Sequence, residues 1–277
     1  MVHIFTDSTS DLSPELIARY NINVVPLTVH IADKTFHDDF SVSGKELFAM
    51  VDATGQLPTT SAPSVGEFAA AFDRPDEVIY IGISSKLSAS VANARLAAET
   101  FPAGKVRVID SLNLSTGAGL LVLRAADLRD QGASAEEIER EVLAAVPKVR
   151  TSFVIDTMRY LYMGGRCTAL QSLMGGLLQI RPVIYARPDG VLDVKDKIRG
   201  SRARTLDAML RDFQAHRDEV DLRRVFITHA ESAEDAAFLS AALAQQAPIQ
   251  EILITSAGAV ISSHCGPNTI GVLYLLK

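Results

Sequence analysis

Cysteine is scarce in this chain of 277 residues, and the two that occur, Cys167 and Cys265, fit neither a disulfide framework nor the ligand spacing of a zinc site. Long apolar runs are missing as well, since Gly, Ser or a charged residue breaks each one before the ~18 residues a membrane span requires. Positive charge does not dominate. The net charge of −6 argues against nucleic acid as a partner and against any general attraction to anionic lipid. There is no G-x-S-x-G elbow, no phosphate-binding P-loop, no HExxH and no GxGxxG following a strand. Neither a metal nor a cofactor is expected. Met1-Val-His-Ile-Phe-Thr-Asp leads straight into a strand without a basic or apolar leader, so cytoplasmic residence is the expectation.

What the chain does have is apolar content of 48 %, enough for one large core or two ordinary ones. Its organising stretch is Glu77 to Ser90. Val78 to Ile83 reads as a strand buried on both faces, Ser84, Ser85, Ser88 and Ser90 crowd the loop after it, and a helix follows with Ser88 as its expected N-cap. Hydroxyls and free backbone N–H groups at a helix start suit an anion. Capping alone is an equally good account of one such loop. A second cluster, Pro58-Thr-Thr-Ser-Ala-Pro-Ser64, precedes the helical stretch from Val65 to Phe72 and could face the first.

Elsewhere the same order of strand, polar loop and helix recurs. Val2 to Phe5 ends in Thr6-Asp7-Ser8, and Val106 to Asp110 ends in Asp-Ser before the helix from Leu114 to Arg129. That order predicts an α/β protein with a mostly parallel N-terminal sheet. Ser134 and Glu137 have capping-box spacing, and Pro147 ends their helix, which puts a boundary near Lys148 and units at 1–148 and 149–277. The second unit reads as α+β, its strands Ile180 to Ala186 and Val191 to Lys197 being joined tightly enough to be antiparallel. Lys195, Lys197, Arg199, Arg202 and Arg204 form the densest basic run, either a solvated face or a surface for an acidic partner. His264, between Ser263 and Cys265, is the histidine in the most informative setting, although neighbours in sequence cannot face each other as base and nucleophile.

Taken together, Asp7-Ser8, Thr60-Ser-Ala-Pro-Ser64, Ser84-Ser-Lys-Leu-Ser-Ala-Ser90, Tyr160 to Arg166, Ile180-Arg-Pro182, Asp189-Gly190 and Ser263-His-Cys-Gly-Pro267 resemble the DegV family of bacterial fatty-acid-binding proteins over the whole chain. In the second hydroxyl loop Ala89 and Ser90 stand where the family pattern has Gly and Thr. The resemblance implies two domains holding one long-chain fatty acid such as palmitate in a tunnel between them. It assigns the carboxylate to Thr60, Ser61, Ser88, Ser90 and His264, and it makes a fatty acid kinase subunit the partner that phosphorylates the acid. Arg166, Arg199 and Arg202 become candidates for the docking face, Leu170, Leu173, Met174, Leu177 and Leu178 for the tunnel wall. Transient membrane contact is compatible with such a carrier. The competing reading is an α/β hydrolase or phosphoryl-transfer enzyme using Asp7, Ser88 and His264. The lack of a recognisable nucleophile, base and orienting group favours the carrier.

Overall fold

The structure, a computed structural model, describes residues 1–173 and 180–277. The chain opens with β1 (Val2–Asp7), α1 (Pro14–Arg19), β2 (Ile22–Val25), the hairpin β3 (Thr28–Ile31) and β4 (Lys34–His37), α2 (Gly44–Thr54), β5 (Thr59–Ser61) and α3 (Val65–Phe72). It continues through β6 (Glu77–Gly82), α4 (Ser90–Ala98), β7 (Val106–Asp110), α5 (Thr116–Asp130) and α6 (Ala135–Ala145). Then follow β8 (Val149–Val154), α7 (Arg159–Met163), β9 (Ile180–Ala186), β10 (Leu192–Arg199), α8 (Arg202–His216), β11 (Val220–Ala230), α9 (Ala233–Gln246), β12 (Glu251–Ser256), α10 (Ala259–Cys265) and β13 (Thr269–Leu276).

Four strands make a parallel sheet in the order β2-β1-β6-β7. Successive residues of β6 alternate between its faces: Val78 and Tyr80 join Phe68 and Phe72 of α3, whereas Ile79 and Ile81 join Leu120 to Leu123 of α5. Burial on both sides explains why Val78 to Ile81 reads as one uninterrupted apolar run. A second sheet of six strands, β10-β9-β8-β13-β11-β12, is antiparallel except where β12 runs parallel to β11. Helices α8 and α9 cover one of its faces. A third, three-stranded sheet, β4-β3-β5, includes Thr59–Ser61, which the sequence presents as loop.

Helix α5 is the piece shared by the two larger sheets. Its residues from Thr116 to Leu123 are buried all round, and one core cluster holds Ile4, Ile79 and Ile109 of the parallel sheet together with Phe226, Leu273 and Leu275 of the other. A helix apolar on every side belongs inside a protein.

Three helix starts satisfy their free N–H groups with reciprocal Ser–Glu pairs, Ser43 with Glu46, Ser64 with Glu67 and Ser134 with Glu137. Ser88 does not do this for α4. The cap position belongs to Ala89, which makes no side-chain bond, and the helix starts at Ser90. Ser88, one residue before that position, still accepts the Ser90 backbone N–H at 3.2 Å. Helix α10 was not foreseen, because its run Ala-Val-Ile-Ser-Ser-His-Cys is short and bounded by Gly258 and Gly266. Among the described residues no helix is long and apolar enough to cross a membrane, and no group of three His, Cys, Asp or Glu could hold a metal ion.

Candidate ligand-binding site

The two hydroxyl loops meet at one cavity of about 200 Å³. Thr60 and Ala62 reach it from the end of β5, Ser88 and Ala89 from the loop after β6, and His264 and Cys265 from the end of α10. Its walls are apolar elsewhere, with Leu27, Ile83, Leu114, Leu161 and Ile261 among them. The Arg166 guanidinium joins them, donating to the carbonyls of Leu87 at 3.3 Å and Gly164 at 2.6 Å.

Two further cavities share residues with the first, and the shared residues differ in kind. Thr60, Arg166 and His264 also line an outer cavity of about 560 Å³, which takes in Leu57, Tyr162 and Met163, the last an exposed methionine. Leu114, Ile261 and Cys265 also line an inner cavity of about 30 Å³, whose lining mixes Phe153, Ala257 and Leu273 with Ser115, Thr151, Thr228, His229 and Thr269. The three spaces thus follow one another, with hydroxyl, imidazole and guanidinium groups at the outer junction and hydrocarbon and thiol at the inner one.

His264 Nε2 lies 2.9 Å from Thr60 Oγ1, while its Nδ1 is buried without a hydrogen-bond partner. A Cβ at Gly164 would stand 2.5 Å from that Nδ1, so only glycine leaves the ring its place. Burial first, and the positive charge of Arg166 second, push the imidazole down to about 4, so at neutral pH it is uncharged. With Nε2 carrying the ring proton, the imidazole donates to Thr60, and the threonine hydroxyl keeps its own proton for a ligand. Burial raises the Cys265 thiol to about 12 and leaves it an apolar wall residue.

The remaining candidates divide. Of the two candidates in the first cluster, Thr60 lines the cavity and Ser61 does not, its Oγ lying 3.0 Å from His30 Nε2 on the three-stranded sheet. Ser64 is spent on its capping box. Ser90 is fully buried behind Ser88, Oγ to Oγ 2.9 Å, and does not line the cavity. Ala89 has φ −77°, an ordinary backbone conformation, so glycine is not needed there for conformational reasons. Ser84 donates to the carbonyl of Gly190 at 2.8 Å and ties the loop to the β9–β10 hairpin. Gly190 has φ +84°, and a Cβ on it would lie 2.3 Å from the Ser84 hydroxyl.

Asp7 holds the loops rather than facing the cavity. It accepts from the Thr9 backbone N–H at 3.1 Å, the Thr9 hydroxyl, the Tyr80 hydroxyl at 2.6 Å and the Ile83 N–H at 3.1 Å, and it is wholly enclosed. Ser88 is bonded to Ser90 and not to His264, whose low proton affinity makes it a weak base. The expected trio of Asp7, Ser88 and His264 is not assembled as base, nucleophile and orienting group. The basic run divides too. Arg166 stands at the cavity, but Arg202 is bound to Asp235 at 2.8 Å and Ser232 at 2.9 Å, Lys195 pairs with Asp212, and Arg199 lies exposed on β10. Of the leucines proposed for the wall, Leu170 is fully buried beside Ile261 and Cys265 in one cluster. Met174, Leu177, Leu178 and the side chain of Leu173 lie outside the described residues.

Helix α10 supplies Val260, Ile261, His264 and Cys265 to this site, of which only His264 stands out in the sequence. For the others the only available signal was spacing, since Ile261 and Cys265, four apart, share a helical face, as do Val260 and His264.

The family model of DegV, described as an uncharacterised protein family, matches residues 1–277. A DegV domain-containing protein of Caldanaerobacter subterraneus subsp. tengcongensis is 34 % identical over 99 % of this chain and 98 % of its own. Among solved structures, a DegV family protein from Thermus thermophilus, described by its fatty acid binding, superposes with a TM-score of 0.92 at 33 % identity, covering 100 % of this chain and 99 % of that one. The Streptococcus pneumoniae Fatty Acid Kinase (Fak) B3 protein, loaded with linoleic acid, gives 0.88 at 26 % identity and covers 100 % of both chains.

Proposed function

The chain belongs to the DegV family, and from that premise we propose that it binds one long-chain fatty acid, palmitate being a suitable probe, and catalyses nothing itself. The carboxylate sits at the outer junction, accepting from Thr60, Ser88 and Arg166, and the tail runs inward through a tunnel made by the apolar cavity and the small space beyond Ile261 and Cys265. The observation that carries this reading is the succession of three linked cavities, with Thr60, Arg166 and His264 at one junction, Ser88 in the middle cavity, and Leu114, Ile261 and Cys265 at the other junction. Neutral hydroxyls with one guanidinium satisfy a half-buried carboxylate. Each buried methylene contributes about 0.8 kcal/mol before ordering costs, so the tail supplies most of the affinity.

A head group at the outer junction stays within reach of a second protein. On the analogy of the pneumococcal Fak B3 protein, the bound acid is presented through the outer cavity to a fatty acid kinase. Native mass spectrometry of protein purified without added lipid, followed by extraction, tests the binding step. About one fatty acid per chain is expected. An empty protein that takes up no palmitate on addition would overturn the reading. Thr60→Ala and Ser88→Ala should each weaken binding by about tenfold, the loss of a hydroxyl bonded to a charged group, while Ser61→Ala should not.

A further inference from the structure

The residue ahead of α5 is a serine that neither caps its helix nor suits its backbone. Ser115 occupies the cap position of α5, yet its side chain accepts no N–H from the first turn. Its backbone stands at φ 53°, ψ −149°, outside the left-handed helical well that other residues can enter and in a region where only glycine is free of strain. Glycine is used close by, at Gly117 and Gly119. A serine kept in this conformation without capping its helix is there for another use of its hydroxyl.

That hydroxyl donates to Asp11 Oδ2 at 2.5 Å, across 104 residues of sequence. The other oxygen of the same carboxylate accepts the N–H of Gly258 at 2.8 Å, and Gly258 is the cap residue of α10. One buried carboxylate thus ties together the starting residues of two helices. What the tie spans is the inner junction. Leu114, Ile261 and Cys265 line both the middle and the inner cavity. Leu114 immediately precedes Ser115, and Ile261 and Cys265 follow Gly258 by about one and two helical turns.

The opposite side of the same segment is fixed as well. The Leu114 N–H donates to Asn113 Oδ1 at 3.2 Å, and that oxygen also accepts the Thr151 hydroxyl of β8 at 2.6 Å. A Cβ at Gly117 would fall 2.2 Å from Asn113 Oδ1 and 2.3 Å from Thr151 Oγ1, so the first turn of α5 is already seated as deeply as it can be. With that side fixed, the Ser115–Asp11–Gly258 bridge sets how far α10 stands from Leu114. The inner cavity behind them, about 30 Å³, has room for the narrow end of one hydrocarbon chain.

We propose that Ser115 is a positioning residue that sets the width of the junction between the middle and inner cavities, so that the protein selects acids by the shape of the tail end, admitting a straight one and rejecting one branched near its terminus. The proposal rests on the fatty-acid reading given above, with the tail running past Leu114, Ile261 and Cys265. None of Ser115, Asp11 and Gly258 lines the middle or the outer cavity, so the bridge acts through the residues it holds.

Two acids test this. Palmitate and 14-methylpentadecanoate have the same number of carbons and the same carboxylate and differ only at the end of the tail. The parent protein should prefer palmitate by about tenfold or more, the discrimination an apolar pocket makes against a misplaced methyl group. Ser115→Gly suits the backbone and breaks the bridge, so this preference should fall by about three- to tenfold. Ser115→Ala breaks the bridge but keeps the unfavourable backbone, and should show the same fall with a lower melting temperature than Ser115→Gly. Thermal melts check that each variant is folded, and either folded variant decides. A serine that served the fold alone would, when replaced, weaken both acids together and leave their ratio as it is. The proposal is overturned if a folded variant keeps the parent's preference, or if the parent itself binds the two acids equally well. A parent that binds neither acid would instead remove the fatty-acid reading.

Discussion

Asp11 Oδ1 accepts the backbone N–H of Gly258 at 2.8 Å across 247 residues of sequence, joining the loop after β1 to the start of α10. Asp38 completes the attachment through the N–H groups of Ala259, at 2.7 Å, and Val260, at 3.3 Å. Two buried carboxylates from the first forty residues therefore hold the helix that brings His264, Ile261 and Cys265 to the cavity. Burial is the main cause that raises both, Asp11 to about 8 and Asp38 to about 6.

These shifts set a pH dependence of stability. An acid whose folded value lies above its unfolded value binds its proton more tightly when folded, so it costs stability increasingly as pH rises from about 4 through the folded value. For Asp11 the cost develops between about pH 4 and 8. Asp11→Asn can keep the bond to Gly258 and has nothing to titrate, and its φ of 50° is one that asparagine tolerates. The variant should melt progressively higher than the parent as pH is raised from 5 to 8, by about 2–4 °C for each kcal/mol recovered. Parallel melting curves across that range would show that Asp11 does not carry the effect.

The imidazole of His264 should report the head group. It titrates at about 4 in the empty protein, and a carboxylate brought to Thr60 favours its charged form and raises that value. Binding then takes up protons, so palmitate affinity contributed by this group should grow as pH falls toward 4. An NMR titration of His264 with and without palmitate measures the shift directly. An identical value in both would place the carboxylate elsewhere.

Cys265 belongs to both apolar spaces, which makes it the place to shorten the tail. Cys265→Phe should close the inner cavity, at a stability cost of about 1–3 kcal/mol for overpacking, and shift the preferred acid to a shorter chain while the head-group contacts remain. Affinities for saturated acids of graded length would show this. An unchanged order of preference would mean that the tail does not pass Ile261 and Cys265.

The arginines separate binding from docking. Arg166→Ala should lower palmitate affinity by about tenfold, because it removes a cation from the junction of the outer and middle cavities. Arg199→Glu should leave that affinity unchanged and, if the surface of β10 meets a kinase, slow phosphorylation of the bound acid. Arg202→Ala breaks the pair with Asp235 and should show itself first in the melting temperature. Equal loss of palmitate binding in all three would contradict the division seen in the structure.

Much of this arrangement could be read from residue patterns, and the misses share a cause. The parallel sheet was legible because Val78 to Ile81 is apolar without interruption and both it and Val106 to Ile109, broken only by Arg107, feed polar loops, and the Ser134–Glu137 box named its own helix. The meeting of the two hydroxyl clusters was legible only as a possibility of topology. Which hydroxyl of the first cluster faces the cavity was not, because in Thr59–Ser61 the answer is set by strand alternation, and pairing of that segment with Thr28–Ile31 is a long-range event. Thr60 and Ser61 exchange roles if the register moves by one residue. Arg166 looked like part of a basic surface for a similar reason: charge density along the chain says nothing of Asp235 and Asp212, which neutralise Arg202 and Lys195 from α9 and α8.

Helix α5 has a bearing on how the whole molecule comes apart. Because Leu120, Leu121, Val122 and Leu123 give up their exposure to both large sheets at once, neither sheet can melt and leave the other with a complete core. The exposed leucines would cost the survivor about 1.5–3 kcal/mol apiece, a large fraction of the margin by which any domain is stable. Cooperativity is thus written into a single helix: the two sheets, distinct in strand direction and connectivity, should lose their amide protection together and unfold as one thermodynamic unit.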